Sequence, residues 1–177
     1  LGLRSLTAMS NKLNVFMIEP NEEVNELCLE RCKLNGFTKF KILNVGVSNI
    51  DATKEFYIDP SSYSSSLNKD SLLEEDILKS SKIVVKRLDT LLMNDSSIST
   101  VLEKANNIIV KIDVENHENE VLEGAKYFIE KYYPTFIIEM NQKGENFKNI
   151  YNFFKSMEYN IFQLIDVFEV TQPKFLK

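Results

Sequence analysis

The sequence predicts an α/β fold: a doubly wound sheet, mostly parallel, with an antiparallel last strand. Three observations carry that expectation. Apolar runs alternate with amphipathic stretches along the chain, the pattern of strands joined by crossover helices. Three of the runs stop on an acid, Ile18 at Glu19, Ile112 at Asp113 and Ile138 at Glu139, which lines one rim of the sheet with carboxylates. In the stretch NNIIVKIDVENHENEVLEGA the run Ile108, Ile109, Val110 and Ile112 gives way, after Glu115, to Val121, Leu122, Ala125, Phe128 and Ile129. The second set is a helical stripe with period near 3.6, so the junction is a strand-to-helix turn. Ligands of open α/β sheets lie outside the carboxyl ends of the strands, which puts Asp113, Glu115 and His117 where chemistry is expected.

Taken in order, Leu3 to Ala8 reads as a helix and Asn11 to Asn14 as a polar turn. Val15 to Ile18 is a short buried strand. Asn21 then caps a helix whose first turn carries Glu22 and Glu23 and which Asn35 and Gly36 stop. Residues 41 to 48 are a strand, with Gly46 marking a close approach of a ligand or another backbone. Lys54 to Asp59 and Lys82 to Leu88 form an antiparallel insertion around the serine-rich segment Ser61 to Ser66 and a helical stretch from Leu72 to Leu78. Asp89 to Met93 and Ser99 to Ala105 are helical. The acid-tipped strand from Ile108, expected to be covered on both faces, and its helix come next. Pro134 opens another strand, PTFIIEMN. A helix with the stripe Phe147, Ile150, Tyr151, Phe154 and Met157 leads to two last strands, Ile161 to Leu164 and Val167 to Val170.

Composition narrows the classes of partner. A net charge of -5 lacks the basic stripe that a nucleic-acid backbone demands. No apolar run approaches the roughly 18 residues of a membrane span. Cys28 and Cys32 fall four apart on a helical pattern, on the face of Val24 and Leu27. Two thiols and one distant histidine do not make a structural zinc site, so they read as core packing in a protein of the reducing cytoplasm. The chain opens at Leu1-Gly2-Leu3-Arg4 without a methionine or a preceding strand, and is expected to be a fragment.

Glu19 follows Gly2 by roughly the 20 residues that separate a glycine turn from a ribose-binding acid. That spacing fits a nicotinamide cofactor or S-adenosylmethionine, and Glu19 is also placed to precede a capped helix. A histidine's unperturbed pKa lies near neutrality, so His117, flanked by Glu115 and Glu118, reads as a general base or as a polar residue at a helix entrance. Asp113, Glu115 and His117 also offer ligands of the type a divalent ion takes.

At these residues the chain resembles a known family. VKIDVENHENEVLEGA is similar to the signature of FkbM-type S-adenosylmethionine-dependent methyltransferases, a K-I-D-V-E-G-H-E run followed by V-L-x-G-A. VFMIEPNEEV resembles the strand-two phrase with its E-P-N, ILNVGVSN the strand-three segment and PTFIIEMN the strand-five segment. Leu1-Gly2-Leu3 looks like the end of the glycine motif D-x-G-A-N-x-G. Asn116 departs from the pattern, standing where the family has glycine; the turn tolerates it if φ is positive there. Against that pattern, the first strand and most of the glycine loop are expected to lie outside this chain.

The resemblance implies a Rossmann-like class I methyltransferase sheet lacking its first strand, in a single domain over residues 1–177 cut within the glycine motif. It implies S-adenosylmethionine as cofactor, held by Gly2, Glu19, Asn21, Val47 and Ser48, and no metal. Methyl transfer to a hydroxyl of a small molecule, sugar or glycan would involve Asp113 and Glu115 facing the acceptor. His117 would act as base and Glu139 would orient the substrate. A nicotinamide-dependent oxidoreductase and a non-catalytic interaction domain remain the alternatives.

Overall fold

The computed structural model describes residues 3–58, 66–67, 79–140, 144–163 and 174–175. Gly2, most of the serine-rich segment, the helical stretch near residues 72–78 and the strand at 167–170 lie outside them. The chain forms two compact units, Leu1–Glu139 and Met140–Lys177.

The first unit begins with α1 (Leu3–Ser10), β1 (Val15–Ile18), α2 (Glu22–Leu34) and β2 (Phe40–Leu43). β1 and β2 pair in parallel, Val15 with Phe40 through Ile18 with Leu43. The expected cap is present: the Asn21 side chain accepts from the amides of Glu23 and Val24, at 3.0 and 3.4 Å, and Gly36 ends the helix at a φ of 66°. Cys28 and Cys32 are buried free thiols, with the Cys32 Sγ 3.9 Å from the Met9 Sδ. Burial pushes both thiols up, so they are inert packing groups. Leu27, expected on their face, is instead turned outward.

The strand expected at 41–48 divides in two. The Val45 amide donates back to the Leu43 carbonyl at 3.0 Å, a three-residue turn that releases β3 (Gly46–Val47) to a different partner. β4 (Ala52–Ile58) and β5 (Lys79–Lys86) pair antiparallel, and β3 pairs in parallel with β5, giving the order β3-β5-β4. This is the expected antiparallel insertion. Gly46 approaches the side chains of Val85 and Ile83 on β5.

α3 (Leu88–Asn94) and α4 (Ser96–Glu103) follow, then β6 (Ile109–Ile112), α5 (Glu118–Glu123), α6 (Lys126–Tyr132) and β7 (Thr135–Ile138). β6 and β7 are parallel, with Ile112 beside Ile138. β6 is not covered on both faces as expected: Ile112 is 4% exposed but Ile109 is 64% exposed. The period of two explains it, because Ile109, Lys111, Thr135 and Ile137 share the outward face of the pair. The helical stripe is buried as expected, with Val121, Leu122, Ala125, Phe128 and Ile129 all in the core. It is carried by two helices, not one. The Asp89 amide takes the Gly124 carbonyl at 3.0 Å, and the Asp89 carboxylate accepts from the amides of Tyr127 and Phe128 at 3.1 and 2.9 Å. Asp89 therefore ends α5 and caps α6 from a remote helix.

Asp89 is 3% exposed, so Asp89→Ala leaves two amides without their acceptor. We expect a loss of about 2–3 kcal/mol, read as a lower urea midpoint at unchanged slope. Asp89→Asn keeps one acceptor oxygen and falls between. Equal midpoints for Asp89→Ala and the parent would contradict the cap.

In the second unit, α7 (Glu145–Ser156) buries Ile150 and Phe154 from the expected stripe. The Phe154 ring stands edge-on to Tyr159 at 5.1 Å. β8 (Phe162–Gln163) pairs antiparallel with β9 (Lys174–Phe175), further along the chain than the partner expected at 167–170.

Candidate functional site

Glu19 stands at the carboxyl end of β1, where its amide continues the pairing to the Leu43 carbonyl at 3.1 Å. Its Oε1 accepts from the Asn21 amide at 2.8 Å, and its carbonyl accepts from the Asn25 Nδ2 at 2.7 Å. Burial raises the Glu19 carboxyl, opposed by the Asn21 amide. Asn21 itself is buried with its side-chain oxygen engaged in the cap. Asn25, missed in the sequence, is buried as well, and its Oδ1 has no hydrogen-bond partner among the described residues.

The second group of acids forms around the end of β6. The parallel register sets Asp113 and Glu139 side by side, and Lys111 pairs with both, at 3.4 Å to Glu139. The lone charge inside the apolar run thus bridges two acids without cancelling both. Glu115 follows, exposed. Its carboxyl is raised, first by the protein mass around it and then by the charges of Asp113, Glu118 and Glu139. Its carbonyl accepts from the buried Ser66 Oγ at 2.8 Å, an anchor that the serine-rich composition hid. Asn116 has a φ of 55°, the left-handed conformation that excuses its departure from glycine. Asn116→Gly is expected to hold or raise thermal stability by under about 1 kcal/mol, while Asn116→Val lowers it by about 1–2 kcal/mol. Melting curves that rank valine at or above glycine would contradict this.

His117 does not face the acids in front of it. The residue is 8% exposed, with Nε2 3.1 Å from the Ser48 Oγ and Nδ1 3.5 Å from the Glu120 Oε2. The Lys54 Nζ donates to the same Ser48 Oγ at 3.1 Å. Burial lowers the His117 pKa, Lys54 lowers it further and Glu120 opposes them. Ser48 is completely buried; its amide donates to the Lys86 carbonyl at 3.0 Å, and its own carbonyl lies against Gly124. Val47 beside it is half-buried. Thus Asp113, Glu115 and Glu139 come together, and His117 joins Ser48. No described contact links Glu19 or Asn21 to either group. Among the described residues, no three His, Cys, Asp or Glu side chains are grouped to hold a metal ion.

A cavity of about 230 Å³ lies at the opposite, amino ends of β6 and β7, lined by Asn107, Lys131, Tyr133 and Thr135 among others. Lys131 is engaged there by Glu103 at 3.8 Å and by the Tyr132 ring. Position decides against it as the reacting site, since ligands gather at the carboxyl ends. No described helix is long and apolar enough to cross a membrane.

The described strands pair as four separate small sheets, not as the one doubly wound sheet expected, and two of them are parallel pairs with acids at their carboxyl ends; with the helices between them they make an α/β fold. The model of the Methyltransferase FkbM domain matches residues 4–161, and the chain belongs to that family. Among solved structures, it is similar to the crystal structure of Methyltransferase FkbM from Methylobacillus flagellatus KT. The TM-score is 0.54 at 18% identity, over 87% of this chain and 34% of that one. That likeness shows the fold, and the chain spans about a third of the other protein's length. No curated protein matches.

Proposed function

We propose that the chain is a class I methyltransferase domain that uses S-adenosylmethionine to methylate a hydroxyl of a small molecule, sugar or glycan. On this reading the strand pairs belong to one doubly wound, Rossmann-like sheet, residues 1–177 are a single domain, and the free thiols suit a cytoplasmic setting. The observation that carries the proposal is Glu19, a half-buried acid at the carboxyl end of β1 whose carboxyl is raised by desolvation. One interaction with the Asn21 amide leaves a carboxylate with capacity for both ribose hydroxyls. Asn21 acts by fixing the start of α2, which sets Glu19; Val47 offers an apolar wall to the adenine, and Ser48 supports it from beneath. Gly2 would let the chain pass close to the cofactor.

When bound, S-adenosylmethionine supplies an electrophilic methyl group that needs an in-line nucleophile and little else. The chain's residues have to place the acceptor and take its proton. Glu115, exposed and raised by its neighbours, suits the proton. Asp113 and Glu139, spaced by Lys111, suit the acceptor's hydroxyls. His117 has its Nε2 turned into Ser48, which favours a supporting role over that of base.

Calorimetric titration with S-adenosylmethionine and NAD, on the parent and on Glu19→Gln, tests this. The parent binds S-adenosylmethionine and not NAD, and Glu19→Gln weakens binding about 10- to 100-fold, the range of a charge-assisted hydrogen bond. A carboxyl raised on folding contributes stability below its unfolded pKa and loses it as pH rises through the folded value. Glu19→Gln is therefore at least as stable as the parent at neutral pH. Binding of NAD, of neither ligand, or equally by both variants would overturn the proposal.

A further inference from the structure

His117 has two ring nitrogens and two defined neighbours, so its proton can be placed by accounting. Nδ1 faces the Glu120 carboxylate at 3.5 Å, and an ionised carboxylate only accepts, so Nδ1 carries the hydrogen. Nε2 then offers a lone pair to the Ser48 Oγ at 3.1 Å. The Ser48 hydroxyl has one proton to give and already accepts from Lys54 at 3.1 Å; of its two acceptors, Nε2 at 3.1 Å is closer than the Asn49 Oδ1 at 3.4 Å and takes that proton. The chain Lys54 to Ser48 to His117 to Glu120 is thereby satisfied in one direction, with the imidazole neutral. A protonated ring would aim a second cation at the oxygen that already receives Lys54, in a place where Ser48 and His117 are both buried.

We propose that Lys54, Ser48, His117 and Glu120 form a directional lock in which neutral, Nδ1-protonated His117 is a positioning residue that fixes the turn carrying Asp113 and Glu115. The lock joins three elements through four residues: Lys54 on β4, Ser48 just past β3, His117 at the entrance of α5 and Glu120 within it. It acts at the residue where the backbone leaves the left-handed conformation of Asn116, so holding the ring holds the direction of the acids before it. The charged groups facing the ring are Glu120 from its own helix and Lys54 from β4. The proposal rests on the methyl-transfer reading for what the turn is positioned to do, and on the geometry alone for the lock.

The chain has one histidine, so its ring nitrogens are read by long-range proton–nitrogen NMR without assignment. The expected spectrum shows a protonated Nδ1 and a bare Nε2 at neutral pH, with a titration midpoint below the ordinary value of about 6.5. Lys54→Met, which keeps the stem and removes the charge, raises that midpoint and shifts backbone amides at 113–118. Ser48→Ala removes the proton given to Nε2 and raises the midpoint too, where it folds. An Nε2-protonated ring, an ordinary midpoint, or no response to Lys54→Met would overturn the lock. The spectra do not depend on cofactor or acceptor, so failure of the lock and failure of the methyl-transfer reading are separate results.

Discussion

Gly124→Ala is expected to destabilise the protein more than alanine at any other described glycine. A Cβ at that position would stand 2.0 Å from the Ser48 carbonyl oxygen, 3.0 Å from its carbonyl carbon and 3.3 Å from the Arg87 Cα. Each is backbone, so no side chain can rotate away. Ser48 is tied at the same time by its amide, by Lys54 and by His117. The φ of Gly124 is −78°, which alanine adopts readily, so close approach, not conformational freedom, demands the glycine. Overpacking of this kind costs about 3 kcal/mol, the upper end of its range. In a chain of this size that lowers Tm by about 6–12 °C. Scanning calorimetry of Gly124→Ala beside Gly36→Ala separates the two reasons for a glycine: Gly36 has open space around it and a positive φ, so its loss is only about 1 kcal/mol. A smaller loss at Gly124 than at Gly36 would show that the two segments are not in contact.

Glu115→Gln is expected to lower turnover by about 10²–10⁴-fold, the contribution of a positioned general base, with acceptor KM within a few fold. On the proposed role, the acid limb of the parent's pH–rate profile is expected to follow the Glu115 carboxyl, which is raised by its surroundings and by Asp113, Glu118 and Glu139. Activity grows as pH rises through that value and levels above it. The limb disappears in Glu115→Gln. In His117→Gln, by contrast, the limb stays where it is, while turnover falls through misplacement of the turn. Transfer of a labelled methyl group to acceptor gives both profiles. A limb that vanishes with His117 and survives Glu115→Gln would return the base to the histidine.

The sequence shows what neighbouring residues decide. Asn21 reads as a cap because its partners are two and three residues away, and it is one. Asn116 reads as a tolerable replacement for glycine because αL is a local property, and its φ is 55°. The acids of β1, β6 and β7 follow directly from where apolar runs stop. The interactions that shape the site are not local. Ser48 and His117 are 69 residues apart, and Asp89 and Phe128 are 39 apart; no periodicity marks such pairs. His117 flanked by acids looks like a base in the sequence, and only the Ser48 contact shows which way the ring faces. The break between α5 and α6 was equally hidden, because the apolar stripe runs on through it while the remote Asp89 ends one helix and caps the next. Gly124 was visible only as part of a resemblance, and its physical reason is the backbone of Ser48.

The central claim is that ligand binds at the carboxyl ends of β1, β6 and β7 and not at the cavity between Asn107 and Tyr133. Amide chemical shifts recorded on adding S-adenosylhomocysteine, the demethylated cofactor, test it most directly. The account predicts the largest changes at Glu19 and its neighbours and at residues 113–118. Changes confined to Asn107, Lys131 and Thr135, or none at saturating ligand, would contradict it.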